Sequence, residues 1–334
     1  MAMHQAIWHG GDIGTARTLF PDAPEPWIDL STGINPYSYP LPDIPASAWQ
    51  RLPACAEETA LVDAARAAYR VPARAGIVAA PGTQILIELL PLLAPGATRV
   101  AVVGPTYGEH ARTWRKAGHA VEEIAEPAAA DAAQVVVLVN PNNPDGRIVP
   151  PARLAALGQD IAARGGLLVV DEAFADFDGD ASLVPFLPPA TVILRSFGKT
   201  YGLAGVRLGF AIAEPTLAQV LADRLGPWAV AGPALHVGAR ALGDPDWLRT
   251  AARDRAADAA RLDGLLGRAG RVAGGTSLFR LLETAEAPAL FDRLGRAGIY
   301  VRRFQDQPHR LRFGLPAGET AWARLDAALQ VNRP

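Results

Sequence analysis

A single cysteine, Cys55, among 334 residues leaves no partner for an internal disulfide and fits a reducing compartment. In its Ala-rich helical surroundings it reads as a small hydrophobe rather than a nucleophile. Excess charge is equally scarce: 32 Lys and Arg against 34 Asp and Glu give a net charge of −2. Neither nucleic acid nor an anionic membrane surface is therefore expected as a partner. No apolar run is long enough to span a bilayer, since Gln84 and Glu88 interrupt the best candidate, residues 77–93. The start of the chain has no basic stretch followed by an apolar one, so no signal peptide is expected and the expected location is cytoplasmic. Internal repeats are lacking, as are low-complexity tracts beyond an Ala/Pro bias. No metal is expected. With 50% hydrophobic and 20% charged residues, the chain can bury a large core, enough for one large domain and a smaller one.

From residue 75 to 213, short β-branched runs alternate with amphipathic helical patterns. The runs at 77–79, 99–103, 135–139, 167–171, 191–196 and 209–212 predict strands, and 84–93, 108–117 and 151–163 predict helices. This alternation predicts an α/β fold with a mostly parallel sheet covered by helices and ligands held at the carboxyl ends of the strands. Beyond residue 215 the pattern changes to a long helix at 246–268, strands near 277–282, 300–303 and 311–314, and a last helix at 319–330. Three parts follow: an N-terminal arm over 1–45, rich in Pro, Gly and Asp; a large α/β domain over 46–220; and a smaller α+β domain over 221–334.

The chemistry is expected after the strands. Lys199 lies in Ser196-Phe197-Gly198-Lys199-Thr200-Tyr201-Gly202-Leu203-Ala204-Gly205-Val206-Arg207. Small residues around it admit a bulky planar partner, while Arg207 supplies a fixed charge of the kind that holds a phosphate. A phosphorylated aldehyde bound as a Schiff base would need both. Asp171 closes the strand at 167–171, where a buried carboxylate needs a cation or several donors; a protonated heteroaromatic nitrogen would suit it, and a helix N-cap is the plainer alternative. Asn143, within Asn140-Pro141-Asn142-Asn143-Pro144-Asp145-Gly146, can donate to a phenolate-like oxygen or simply serve a turn. Pro81-Gly82-Thr83-Gln84 precedes an apolar helix and suits an anion. Tyr107 either lies against a planar ring or packs in the core.

In order and spacing these segments resemble the fold type I enzymes that depend on pyridoxal 5′-phosphate, the aspartate aminotransferase superfamily. Within it they look like the branch of histidinol-phosphate aminotransferases and threonine-phosphate decarboxylases. The resemblance covers roughly residues 9–314. It implies that Lys199 forms the Schiff base and then works as base or acid, and that Asp171 pairs with the pyridine nitrogen. It further implies that Asn143 bonds the ring oxygen O3′ and also meets the substrate, that Tyr107 stacks on the ring, and that Gly82, Thr83, Gln84, Ser196 and Arg207 hold the cofactor phosphate. Arg312 and Arg302 match arginines that meet the anionic ends of the substrate, and a homodimer is implied as well.

The cofactor alone does not select the reaction. The opening His9-Gly10-Gly11-Asp12 and the later run to Asn35-Pro36 resemble the arm of threonine-phosphate decarboxylases, in which the His-Gly pair and the Asn contact substrate. Phe174 stands three positions after Asp171, where the aminotransferases usually have Tyr. The resemblance therefore implies decarboxylation of L-threonine O-3-phosphate to (R)-1-aminopropan-2-yl phosphate and CO2, on the way to cobalamin. An aminotransferase of the histidinol-phosphate type is the alternative, and a non-catalytic partner protein in corrinoid synthesis is the second. Three positions depart from the family pattern: Gly198 where Ser or Thr is usual, Leu52 in place of a Tyr that reaches the partner subunit's cofactor phosphate, and Asp145 in place of Thr. These departures suggest weaker or rearranged phosphate binding.

Overall fold

A strand that is apolar at every position needs cover on both faces, and all five residues of Val135–Val139 are buried. Val135 and Val137 enter one core cluster, while Val136 and Leu138 enter another on the opposite face. Each such valine stabilises the fold by about 1.5–3 kcal/mol relative to exposure. The computed structural model describes residues 8–130 and 133–330. Its strands are β1 (Ile28–Leu30), β2 (Gly76–Ala80), β3 (Arg99–Val103), β4 (Ala120–Ile124), β5 (Val135–Val139), β6 (Leu167–Asp171), β7 (Thr191–Ser196), β8 (Gly209–Ala213), β9 (Arg271–Thr276), β10 (Phe279–Glu283), β11 (Ile299–Arg303) and β12 (Arg310–Gly314).

The chain divides into two compact units. The larger holds Ser38–Asn143 and Arg147–Ala251; the smaller holds the residues up to Tyr37, Pro144–Gly146, and those from Ala252 onward. The larger unit is built on a seven-stranded sheet of order β2-β8-β7-β6-β5-β3-β4. Only β8 runs against its neighbours, so the expected mostly parallel sheet is present. Helices Thr83–Leu89, Glu109–Lys116 and Pro151–Ala163 are found where the periodicity places them, the first continuing as a 3-10 turn over Leu90–Leu93. Cys55 opens the helix Cys55–Ala68 and is exposed, so it does not pack as a small hydrophobe.

The smaller unit carries a five-stranded sheet of order β1-β11-β12-β10-β9. Its core gathers Phe291, Phe313 and Trp322 with Leu262, Leu265 and Leu266 of the helix Pro245–Leu266 and Leu325 and Leu329 of the helix Gly318–Gln330.

The division falls at 37/38 and 251/252 rather than at the expected 45/46 and 220/221. Hydrogen bonding explains the first shift: β1 pairs in parallel with β11, which makes the arm a strand of the C-terminal sheet. Packing explains the second, since Leu235, Val237 and Leu242 of the helix Gly232–Leu242 share a core cluster with Leu61 and Phe210. No helix among the described residues is long and apolar enough to cross a membrane.

Candidate active site

Strands β2, β3, β5, β6 and β7 run the same way, so their carboxyl ends lie along one edge of the larger sheet. Asp171, the last residue of β6, is buried there. Its Oδ2 lies 2.9 Å from His110 Nε2, and its Oδ1 accepts the Ala173 N–H at 3.0 Å. Burial alone would raise this carboxyl; the His110 hydrogen bond and charge, then Lys199, then the Ala173 N–H outweigh it and hold the group below its ordinary value. An ionised carboxylate can thus persist in an apolar setting. The next side chain, Glu172, points to its own partners: it accepts from Arg195 Nη1 at 2.7 Å, Ser182 Oγ at 2.7 Å and Leu183 N–H at 2.6 Å. Burial raises the Glu172 carboxyl despite those donors. Arg195 also pairs with Asp176, and this buried group ties the end of β7 to the segment after β6.

Lys199 sits in the single-turn helix Phe197–Thr200 that follows β7. Its Nζ donates to Ser196 Oγ at 3.4 Å and lies 5.1 Å from the centroid of the Phe174 ring. Phe197 stacks on Tyr201 at 4.5 Å, and Tyr201 on Trp247 at 5.4 Å, an aromatic column that supports the turn carrying the lysine.

Gly82 follows β2 with φ of +88°, and a Cβ there would stand 2.6 Å from Arg207 Nη2. Only glycine lets the guanidinium lie this close to the loop. Arg207 is itself left-handed, with φ of 54°, and donates to the Ala204 carbonyl at 3.3 Å. Gln84 Nε2 donates to Glu109 at 3.1 Å, so its Oε1 is turned to accept the Tyr107 hydroxyl at 3.2 Å. Tyr107 meets His110 edge to face, with ring centroids 6.0 Å apart. After β5, Asn140 bonds the carbonyls of Val149 and Ala181, and Asn142 bonds the Pro105 carbonyl and the Thr106 hydroxyl. Those two buried amides hold the loop, and Asn143 is the half-buried amide of the three. A primary amine, an ionised carboxylate held by His110, and an arginine beside Gly82 suit a phosphorylated heteroaromatic aldehyde.

In the smaller unit, Arg302 and Arg312 are directly opposed partners across β11 and β12. Like charges directly opposite one another on a sheet disfavour each other, and an anionic ligand would ease that. Buried Arg312 donates from Nη2 to the Ser31 carbonyl at 2.9 Å and lies 5.1 Å from the Phe279 ring centroid. Arg302 lies 5.6 Å from the Phe304 ring. Asn35 is buried, and its Oδ1 accepts the Tyr37 N–H at 3.0 Å and Arg255 Nη1 at 3.4 Å. His9 is exposed, and the backbone of Gly10 rests on Ser31. Leu52 is 66% exposed.

His110, Ser31 and Arg255 escaped the sequence reading. His110 leaves one signal, a histidine three residues after Tyr107 on the helix that begins at Glu109. The other two become visible only through their partners.

The model of the family "Aminotransferase class I and II" matches residues 57–328. A threonine-phosphate decarboxylase of Pseudomonas aeruginosa is 46% identical over 326 residues, 96% of each chain. One from a Sinorhizobium species is 44% identical over 340 residues, 98% of each. Among solved structures, the histidinol-phosphate aminotransferase of Sinorhizobium meliloti in complex with pyridoxal-5′-phosphate superposes with a TM-score of 0.80 at 21% identity, covering 96% of this chain and 93% of that one. The chain shares this fold and belongs to the aminotransferase class I and II family.

Proposed function

We propose that the protein decarboxylates L-threonine O-3-phosphate with pyridoxal 5′-phosphate, releasing CO2 and (R)-1-aminopropan-2-yl phosphate for cobalamin synthesis. The observation that carries this reading is the near-full-length identity to two threonine-phosphate decarboxylases. The facing Arg302 and Arg312 add a chemical reason, since guanidinium groups suit a substrate that carries both a carboxylate and a phosphate.

When bound, the cofactor offers an aldehyde to the substrate amine and a ring that takes up the electron pair of the breaking bond. Ionised Asp171 keeps a proton at the ring nitrogen, and His110 keeps Asp171 ionised and in place. Asn143 would hold O3′ and meet the substrate, and Tyr107, whose hydroxyl donates to Gln84, would hold the ring. Gly82, Thr83, Gln84, Ser196 and Arg207 hold the phosphate. Arg312 and Arg302 hold the substrate anions, together with His9, Gly10 and Asn35. The Lys199 amine would hold the cofactor. Once the Cα–carboxylate bond breaks and CO2 leaves, Lys199 Nζ delivers the replacing proton to Cα.

A homodimer completes the proposal. Leu41, Trp49 and Leu52 are 63%, 67% and 66% exposed within one short stretch, an apolar surface that a second copy of this chain would cover. Light scattering at the monomer mass would refute that part. For the activity, cofactor-loaded protein is incubated with phosphothreonine: CO2 released without any oxo acid supports decarboxylation. Turnover only with 2-oxoglutarate makes the protein an aminotransferase, and no turnover of either kind favours a non-catalytic role.

A further inference from the structure

Ser31 follows β1, is fully buried, and uses every hydrogen-bonding group it has. Its N–H and hydroxyl donate to Asp29 Oδ1 at 2.8 and 2.5 Å. The hydroxyl oxygen accepts the Gly11 N–H at 2.7 Å, and the carbonyl accepts Arg312 Nη2 at 2.9 Å. Because Asp29 takes the hydroxyl hydrogen, the oxygen lone pairs are left for the Gly11 amide. Gly10 completes the contact: a Cβ there would stand 2.3 Å from the Ser31 carbonyl oxygen, so the arm lies directly on the group that receives Arg312. A second attachment is Trp8, whose ring lies 4.3 Å from the Arg303 guanidinium, which also stacks on Phe291 at 4.5 Å.

We propose that Ser31 is a positioning residue for substrate binding, its side chain holding the His9-Gly10 arm and its carbonyl holding Arg312 in one registered arrangement that receives a phosphorylated amino acid. The proposal rests on the reading of His9, Gly10 and Arg312 as substrate ligands. Its two halves separate by mutation, because the hydroxyl serves the arm while the backbone carbonyl serves Arg312. Ser31→Ala therefore releases the Gly11 amide and leaves the Arg312 bond in place. Gly10→Ala displaces the same arm with the hydroxyl intact.

The test uses full-length, cofactor-loaded protein: wild type, Ser31→Ala, Ser31→Thr and Gly10→Ala. Hydrogen–deuterium exchange follows the peptide over residues 8–16, and steady-state kinetics use phosphothreonine. In Ser31→Ala the arm amide exchanges about tenfold faster, the worth of one lost hydrogen bond, while peptides of β12 keep wild-type rates. KM rises by about tenfold with kcat within about threefold. Ser31→Thr, which keeps the hydroxyl, restores both values toward wild type, and Gly10→Ala reproduces both defects. Wild-type arm exchange in Ser31→Ala overturns the proposal whatever turnover does, as does a loss confined to kcat. A wild-type protein that releases no CO2 counts against the functional reading alone. The Ser31 proposal is then decided by arm exchange together with phosphothreonine affinity from calorimetry, and unchanged affinity in Ser31→Ala overturns it.

Discussion

Replacing His110 with phenylalanine removes the main partner of a buried carboxylate while keeping a ring of similar size against Tyr107. In the wild type, burial works against ionised Asp171, and the His110 hydrogen bond leads the groups that overcome it. The folded pKa lies below the ordinary value of 3.8, so this interaction stabilises the fold above about that pH and is lost as pH falls through the folded pKa. In His110→Phe the burial effect prevails and the Asp171 pKa rises. A hydrogen bond to a charged group contributes about 1.5–3 kcal/mol, so the variant unfolds at correspondingly lower urea near neutral pH. Protonation of Asp171 removes the cost, so the deficit shrinks as pH falls. Urea unfolding of both proteins at pH 7.5 and at pH 4.5 reads the difference directly. His110→Gln, which retains a donor, recovers most of the loss. Equal deficits at the two pH values, or no deficit at all, would refute the assignment of His110 as the group that keeps Asp171 ionised.

Other perturbations test the remaining parts of the site. Gly82→Ala forces an unfavourable positive φ and drives a Cβ into Arg207, so cofactor retention in equilibrium dialysis falls by roughly tenfold or more; undiminished retention would remove the phosphate role of this loop. Lys199→Ala abolishes the visible absorption band of the cofactor-loaded protein, and a band that persists would show that another group anchors the cofactor. Arg312→Ala raises KM for phosphothreonine by about 10- to 150-fold, the range for hydrogen bonds to a charged group, and an unchanged KM would sink its assignment. Arg302→Ala acts in the same direction but less strongly, because Arg302 is only half-buried.

The larger sheet was legible because its interior strands are apolar on both faces, and β3, β5, β6 and β7 begin and end where the β-branched runs do. The edge strand β4 was not: Glu122 and Glu123 are exposed there, and an edge strand needs only partial cover. Likewise β9 contains Gly274 and Gly275, which weaken any strand pattern. Asp171 stood out because a charge that closes an apolar strand demands a partner, and Lys199 and Arg207 because they share one run of small residues. Their supports did not, since His110 reaches Asp171 from 61 positions away and Ser31 meets Arg312 across 281. Such pairings are products of topology, which local periodicity does not encode. The arm stood out by its Pro, Gly and Asp content, but the pairing of β1 with β11 emerges only from the sheet order.

The central claim is that the substrate loses its carboxylate as CO2 and that an exchangeable proton takes its place at Cα. Mass spectrometry of the phosphorylated product formed from phosphothreonine in D2O tests it most directly. The account predicts 1-aminopropan-2-yl phosphate carrying one carbon-bound deuterium beside the amine. A phosphorylated oxo acid, or an amine with no carbon-bound deuterium, would contradict it.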